Sequence, residues 1–419
     1  MRLKTLKSTF SNAENVCWSI LHQIVTRGLV VIKFFAAARL LGPEAVGLVA
    51  IGILSMAIAE ALTDTGLQQA VIQNKKRLEL TEAGALWTLQ ATRGIFIFLA
   101  LIILAEQLAR LLNAPAASNI IQATAFVAIL KNTVNPGPSL MLRDRNFRGI
   151  ALYEILATLT DLLVTITLVL VGIGPIAMVI GTAAGETMKI VLSWFPFRTP
   201  ISPNTQWGQI AHLTNFGKWI WGNSVLTLML NQIDKILVAK YLGVSELGFY
   251  QTAARICQLL IVEPVMALGQ YLFPTYAKLF RNSPYDARRR FIKILKFTLA
   301  YLSMAVASFL LTSGHLINFA LGDAWYATET ITKMFVFPMT VGALIAVIIP
   351  YLRAIAQPKQ ILIACLLQLM TLTISAPTLL PLLGASGMII SLGIAGGTSL
   401  AYMLFASLWL TDESKKNRA

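Results

Sequence analysis

The feature that most constrains this chain is a series of long apolar segments, which begins near residue 15 and continues to residue 411. A helix that crosses a bilayer needs about 20 apolar residues, because only its own backbone can satisfy its polar groups in hydrocarbon. A mean hydropathy of +0.70 and a charged fraction of only 13% fit such helices and not a water-soluble domain. We therefore expect an all-α, polytopic membrane protein with little room for a soluble catalytic domain.

Glycine, proline and charged residues divide the apolar sequence into about twelve predicted transmembrane helices. Their approximate bounds are 15–41, 43–73, 82–112, 117–138, 150–172, 174–196, 213–240, 245–272, 287–313, 326–352, 358–382 and 385–411. Twenty-three Lys and Arg residues fall at helix ends and connections on one side, and three, Arg39, Arg110 and Lys240, on the other. The positive-inside rule therefore predicts cytoplasmic termini. The same bias explains most of the net charge of +15, so no nucleic-acid partner is expected.

Two segments 201 residues apart share a sequence frame. Residues 38–47 read ARLLGPEAVG and residues 239–248 read AKYLGVSELG, so both contain Ala-cation-x-Leu-Gly-x4-Gly. In each, the first glycine follows a predicted helix, where only glycine adopts a left-handed turn without a steric penalty. The offset is close to half the chain and predicts two parallel, pseudo-repeated six-helix lobes, residues 1–200 and 201–419. Such a duplication is typical of transporters with a substrate site between the halves.

The sequence around the second copy of this frame resembles a known family. Residues 231–253, NQIDKILVAKYLGVSELGFYQTA, together with residues 38–47 and the DTGL sequence at 64–67, carry the resemblance. They are similar to the polysaccharide-transport branch of the multidrug/oligosaccharidyl-lipid/polysaccharide exporter superfamily, the Wzx-type lipopolysaccharide and exopolysaccharide flippases.

The resemblance implies a function in the bacterial inner membrane. It implies that an undecaprenyl-pyrophosphate-linked oligosaccharide, an O-antigen or exopolysaccharide repeat unit, moves from the cytoplasmic to the periplasmic leaflet by alternating access. The expected partners are this lipid-linked oligosaccharide, membrane lipids, and the polysaccharide polymerase and glycosyltransferases of the same pathway.

Cations inside the predicted helices are the first candidates for a substrate site. An intramembrane charge costs about 2.5 to 3.5 kcal/mol on insertion scales, so those that persist usually face a partner or a water-filled cavity. A pyrophosphate group requires cations, and a guanidinium binds phosphate oxygens through two parallel hydrogen bonds. We therefore predict that Arg27, Lys33 and Arg255 line a substrate cleft, with Arg93 and Lys131 as further candidates.

Four acidic residues complete the predicted set. Glu60 and Asp64 are four residues apart and lie on one helix face, where burial and mutual repulsion would suit a proton or sodium coupling site. Alternatively, they pair with the cations of the first helix and only stabilise the lobe. At the repeat offset Lys33 corresponds to Asp234, and the two would close one side of a cleft. Glu263 is assigned to coupling or charge pairing in the same cleft.

Other polar and aromatic residues within the spans have less specific interpretations. Glu186 and Lys189 are three residues apart and are predicted to neutralise each other. Glu154 and Asp161 have no partner that the sequence identifies. Tyr250 is a candidate for stacking on a sugar ring, although aromatic residues at such positions more often contact lipid or other helices.

The sequence lacks the motifs expected for ATP hydrolysis and for metal binding. No Gly-x4-Gly-Lys-Ser/Thr loop occurs, so ATP hydrolysis is not expected, and no cofactor is predicted. His22, His212 and His315 lack metal-ligand spacing, so no metal site is predicted either. An enzyme such as a polysaccharide polymerase or ligase would need a long external loop rich in Arg, His or acidic residues. An ion-coupled multidrug exporter of the same superfamily is the stronger alternative, but it would need an acidic cavity.

Overall fold

The computed structural model describes residues 2–64, 80–143, 146–195 and 211–416, which form helices joined by short turns, with no strand among them. The helices are α1 (Arg2–Leu62), α2 (Leu80–Leu111), α3 (Ser118–Asn132), α4 (Gly137–Arg143), α5 (Phe147–Leu170), α6 (Ile176–Trp194), α7 (Ala211–Leu242), α8 (Val244–Cys257), α9 (Glu263–Asn282), α10 (Pro284–Leu321), α11 (Tyr326–Ala354), α12 (Pro358–Leu383) and α13 (Ala385–Lys416). Within these ranges, nine helical stretches are long and apolar enough to cross a membrane. The predicted all-α, multi-pass membrane fold is confirmed, while the count of twelve spans stays a prediction.

Helix α1 is two helices joined at one residue. Gly42 has φ 82° and ψ 174°, a conformation essentially restricted to glycine. Pro43 follows as the first residue of the second helix, where its missing N–H leaves no hydrogen bond unmade. The break falls where the sequence places the end of its first predicted helix. The part of the second predicted helix beyond residue 64 lies outside the described residues.

Residues with positive φ recur at corresponding turns of the two halves. Gly243, the counterpart of Gly42, has φ 91° and ψ −179° between α7 and α8. Asn113 and Gly322 follow α2 and α10 with positive φ, and Gly174 and Gly384 precede α6 and α13 with positive φ. All of these turns lie on the sparsely charged side of the predicted topology. The repeat is therefore present in the backbone at three turns of each half, well beyond the one frame visible in the sequence.

The chain forms two compact units, Met1–Leu228 and Met229–Ala419. In the first unit α1 packs against α3 and α5, α2 packs against α3, and α5 packs against α6. In the second unit α11 is central and packs against α8, α9, α10 and α13. The predicted lobe boundary after residue 200 falls within residues 196–210, outside the described residues, and stays a prediction.

Helix α3 ends at Asn132, six residues before the predicted end of the fourth span. The sequence Asn-Pro-Gly-Pro at 135–138 explains the difference, because a residue before proline is disfavoured in helical conformation. Asn135 stabilises the turn: its side-chain oxygen accepts from the Gly137 N–H at 2.8 Å, and its own N–H donates to Ser193 Oγ at 3.1 Å. Backbone groups of this buried turn are thus satisfied without a helix.

Candidate functional site

A largely buried ion pair joins α1 to α5. Lys33 Nζ lies 2.7 Å from Asp161 Oδ2, and the two side chains are 14% and 15% exposed. Thr182 on α6 accepts a longer contact from the same ammonium at 3.5 Å, while Thr165 donates to Asp161 Oδ1 at 3.2 Å. Three helices therefore meet at one neutralised pair. Asp161, which the sequence leaves without a partner, is the counter-ion of Lys33.

Two glycines on α6 create the space for this pair. A Cβ atom on Gly181 would lie 1.9 Å from Thr165 Oγ1 and 2.9 Å from the Asp161 carbonyl oxygen. A Cβ atom on Gly185 would lie 2.9 Å from the Asp161 Cβ. Small residues four apart allow membrane helices to approach closely. This close approach of α6 and α5 places the Asp161 carboxylate within reach of α1.

The predicted coupling residue Glu60 forms an ion pair with α3. Lys131 Nζ lies 2.8 and 2.9 Å from the two carboxylate oxygens of Glu60. Arg93 on α2 donates to the Glu60 carbonyl oxygen at 2.6 Å and to Thr63 Oγ1 at 3.0 Å. A guanidinium suits this position, because the last carbonyl groups of a helix have no partner within the helix and carry partial negative charge. Glu60 thus pairs with a cation of α3 and not with one of the first helix.

Asp64 belongs to a second set of contacts at the same helix end. Its Oδ2 accepts a hydrogen bond of 2.6 Å from the Ser224 hydroxyl of α7, and Trp221 Nε1 donates to the Leu62 carbonyl oxygen at 3.0 Å. Arg93 and Trp221 together satisfy carbonyl groups at the end of α1. Ser224 thus contacts Asp64, while Lys131 contacts Glu60.

The pair predicted to be structural is confirmed and extended. Lys189 Nζ lies 3.0 Å from Glu186 Oε1, as their spacing on α6 predicts. It also lies 3.7 Å from Glu154 Oε2 on α5, so one ammonium serves two carboxylates. Glu154, for which the sequence offers no partner, is part of a second charged link between α5 and α6.

In the second unit, Asp234 on α7 is held by a tyrosine. The Tyr250 hydroxyl of α8 donates to Asp234 Oδ2 at 3.0 Å, and Lys235 lies 3.4 Å from the other oxygen. Tyr250 is completely buried and packs edge-on against Phe335 at a centroid distance of 4.8 Å. These contacts favour helix packing over sugar stacking for Tyr250. Lys33 and Asp234 occupy corresponding repeat positions, and each has a partner inside its own unit.

Arg255 and Glu263, two of the predicted cleft residues, are brought together across an irregular turn. Arg255 Nη1 lies 3.7 Å from Glu263 Oε1, with side chains 28% and 19% exposed. Between them, Gln258–Val262 form a turn of π-helix, which joins α8 to α9. Such insertions are rare and often occur at functional sites. A separation of 3.7 Å is longer than a charge-assisted hydrogen bond, so the guanidinium is held near the carboxylate without a tight bond.

Arg27 is the exposed residue among the three cations that were the first candidates, Arg27, Lys33 and Arg255. It lies on α1, six residues before Lys33, and its side chain is exposed. No group of three His, Cys, Asp or Glu residues that could hold a metal ion occurs in the part of the chain that the structure describes.

Comparison with known proteins identifies the family. Residues 36–330 match the family described as "Polysaccharide biosynthesis protein". The chain belongs to this family. The match confirms the resemblance that the sequence frames indicate. The polysaccharide biosynthesis family match includes Glu60, Asp64, Asp234, Arg255 and Glu263, whereas Arg27 and Lys33 precede it.

Two named members of biosynthetic pathways are similar to the chain. The lipopolysaccharide biosynthesis protein WzxC of Escherichia coli K12 is 24% identical over 76% of this chain and 64% of its own length. The succinoglycan biosynthesis transport protein ExoT of Rhizobium meliloti 1021 is 25% identical over 64% of this chain and 54% of its own length. The chain thus spans less than two thirds of these relatives.

Solved structures share the fold at low sequence identity. A multidrug resistance MATE family transporter of the MOP superfamily, in an inward-facing conformation, matches with a TM-score of 0.71 and 14% identity over 96% of this chain and all of its own. The lipid II flippase MurJ, in an inward closed conformation, matches with a TM-score of 0.68 and 16% identity over 92% of this chain and 87% of its own. This polysaccharide biosynthesis family member therefore has the pseudo-repeated helical fold of both transporters.

Proposed function

We propose that this protein is a flippase for an undecaprenyl-pyrophosphate-linked oligosaccharide. It would move an O-antigen or exopolysaccharide repeat unit from the cytoplasmic to the periplasmic leaflet of the bacterial inner membrane, by alternating access and with both termini in the cytoplasm. Membership of the polysaccharide biosynthesis family carries the proposal, and the fold shared with a lipid II flippase supports it. Polysaccharide polymerase and glycosyltransferases of the same pathway are the proposed partners.

The ion-pair partners and the exposure of the three candidate cations indicate which of them can bind phosphate. Lys33 is engaged at 2.7 Å by Asp161 and largely buried, which favours a structural role. Arg255 has a longer contact, 3.7 Å, with Glu263. Arg27 is exposed. Because a guanidinium can exchange a loose carboxylate contact for two bonds to phosphate oxygens, Arg27 and Arg255 are the residues that we propose to bind the pyrophosphate.

The direct test is translocation of a labelled lipid-pyrophosphate oligosaccharide in proteoliposomes that contain the purified protein. We expect the labelled lipid to reach the opposite leaflet, and a comparison with and without proton or sodium gradients identifies the coupling ion. Efflux of small organic cations without movement of several such lipids would instead establish the multidrug exporter. Elongation of the glycan would indicate a polymerase.

Substitution of the two arginines tests the phosphate-binding assignment. We expect Arg27→Ala and Arg255→Ala each to reduce translocation at least tenfold, because loss of a charge-assisted contact in a desolvated site costs about 1.5 to 3 kcal/mol. Arg110→Ala is the matched control, since Arg110 pairs with Glu106 four residues away and its side chain is 78% exposed. Normal transport by both test variants, at equal amounts of inserted protein, would contradict the assignment.

The carboxylates Glu60 and Asp64 are the proposed coupling residues. The gradient dependence of transport in single variants distinguishes their roles. Asp64 accepts from a hydroxyl, whereas Glu60 faces Lys131. Because Lys131 Nζ contacts both carboxylate oxygens of Glu60, a proton or a sodium ion can bind Glu60 only by displacing this ammonium. We expect Asp64→Asn to abolish the gradient dependence of transport and Glu60→Gln to change it less; the opposite order would transfer the coupling role to Glu60.

A further inference from the structure

The second unit contains a groove that the proposed transport function does not use. The groove lies between the last turns of α10 and the first turns of α11 and has a volume of about 570 Å³. His315 and Phe319 line it from α10, and Glu329 and Lys333 line it from α11. This volume falls within the usual range of small-molecule sites.

A carboxylate and an ammonium lie side by side in this groove. Lys333 Nζ donates to Glu329 Oε1 at 2.6 Å, and the two side chains are 43% and 40% exposed. Gly314 allows Glu329 to rest against α10, since a Cβ there would lie 2.9 Å from the same carboxylate oxygen. Exposed ion pairs contribute at most about 1 kcal/mol, so a ligand that satisfies both charges can replace the contact between them. The groove thus presents one negative charge, on Glu329, and one positive charge, on Lys333.

The groove also changes from polar to apolar with depth. Helix α11 begins at Tyr326, so Glu329 and Lys333 lie about 5 and 10 Å along it from the α10–α11 turn. Helix α10 ends at Leu321, so Leu311 lies about 15 Å from the same turn. Leu311 is 84% exposed. The mouth carries these charges beside the exposed ring of Phe319, and the leucines lie farther from the turn. This order matches an amphiphile whose headgroup lies at the membrane surface and whose chain enters the hydrocarbon.

We propose that this groove binds a phospholipid whose headgroup combines a primary ammonium with a phosphate, as in phosphatidylethanolamine. The ammonium donates to Glu329, the phosphate accepts from Lys333 and from the imidazole N–H of His315, and an acyl chain lies along Leu310 and Leu311. A phosphatidylglycerol headgroup has no cation for the carboxylate. A phosphatidylcholine headgroup has a cation without N–H donors. The charge pattern therefore selects the primary-amine lipid.

Native mass spectrometry of the purified protein tests this selectivity. The protein in detergent is mixed with equimolar phosphatidylethanolamine, phosphatidylglycerol and phosphatidylcholine of identical acyl chains, and the retained lipid is counted. We expect preferential retention of phosphatidylethanolamine. Glu329→Gln and Lys333→Gln should each lower its retention about tenfold, the usual cost of one charge-assisted hydrogen bond.

A matched pair in the first unit is the control. Glu106 and Arg110 have the same four-residue spacing, lie near the end of α2, and are more exposed than the groove pair. Glu106→Gln and Arg110→Gln should leave lipid retention unchanged. Equal retention of the three lipids, or equal losses in both pairs of variants, would overturn the proposal. Displacement of phosphatidylethanolamine by an added lipid-linked oligosaccharide would also overturn it, because the groove would then belong to the transported substrate.

Discussion

The two units differ in the ion pairs that they contain. In Met1–Leu228, ion pairs connect residues of different helices: Lys33 with Asp161, Lys131 with Glu60, and Lys189 with Glu154. In Met229–Ala419, the pairs named above join residues no more than eight positions apart: Lys235 with Asp234, Arg255 with Glu263, and Lys333 with Glu329. The first unit also has such local pairs, Glu106 with Arg110 and Glu186 with Lys189, but it adds pairs that link segments distant in sequence.

Aromatic rings make the connections between helices in the second unit. Phe249 packs edge-on against Trp325, and Tyr250 packs edge-on against Phe335. Phe291 stacks on Tyr351 with centroids 4.2 Å apart. In lipid, association of helices depends on van der Waals packing and on polar contacts, because hydrocarbon tails are as apolar as the side chains. The first unit has ring contacts between helices as well, Trp87 with Trp194 and Phe98 with Phe126, so the units differ in the long-range ion pairs that the first unit adds.

The difference predicts that the second unit is most sensitive to loss of aromatic volume. Trp325 is completely buried and packs against Phe249 at 5.8 Å. Trp325→Ala should destabilise the protein by about 4 kcal/mol, because truncation of a buried aromatic side chain removes its contacts and leaves a cavity. Thermal unfolding in detergent measures the loss, and hydrogen exchange should rise in peptides of α8 and α11.

Trp409 provides the control in the same unit, since it is 50% exposed and stacks on the exposed Phe405. Trp409→Ala should cost much less than Trp325→Ala. Equal losses would show that ring burial does not distinguish the two positions.

The first unit should instead respond to loss of one charge. Lys33→Met leaves the Asp161 carboxylate, only 15% exposed, without its ammonium. We expect a loss of about 3 kcal/mol, because an uncompensated charge in this environment is costly. Unfolding in detergent gives the size of the effect, and hydrogen exchange should rise in α1 and α5 but not in α11.

A double variant separates the charge from the packing. In Lys33→Met/Asp161→Leu neither charge remains, so most of the stability should return, since apolar replacements of a buried pair are often neutral. If the double variant is as unstable as Lys33→Met, the ammonium acts through packing and the comparison between the units fails.

The fold follows from the sequence because its determinants are local. Apolar length sets the spans, and the glycine at the end of each repeat frame sets a turn that Gly42 and Gly243 adopt with positive φ. Local signals also predict the Glu186–Lys189 pair, since helical spacing alone places these side chains together. The predicted end of the fourth span at residue 138 was wrong, because the Asn-Pro-Gly-Pro sequence at 135–138 disfavours a helix there.

The partners of most intramembrane charges were not predictable, because they depend on packing between distant segments. Lys33 and Asp161 are 128 positions apart, and Glu60 and Lys131 are 71 apart. The repeat offset suggested Asp234 as the counterpart of Lys33. The repeat relates equivalent positions in the two halves, however, and does not identify which residues are in contact. The one sequence signal that pointed towards Asp161 is the pair of small residues Gly181 and Gly185, which indicates where α6 approaches a neighbour.

Gly181 gives the mildest test of this arrangement. Gly181→Ala adds one Cβ that would lie 1.9 Å from Thr165 Oγ1 and 2.9 Å from the Asp161 carbonyl oxygen, so α5 and α6 must separate. Overpacking of this kind typically costs about 1 to 3 kcal/mol. Gly342 in α11 is the control, because a Cβ there meets nothing within 4 Å. Gly342→Ala should be neutral or slightly stabilising. If Gly181→Ala behaves like Gly342→Ala in thermal unfolding, then α6 does not need its close approach, and the position of Asp161 beside Lys33 must be set by the ion pair itself.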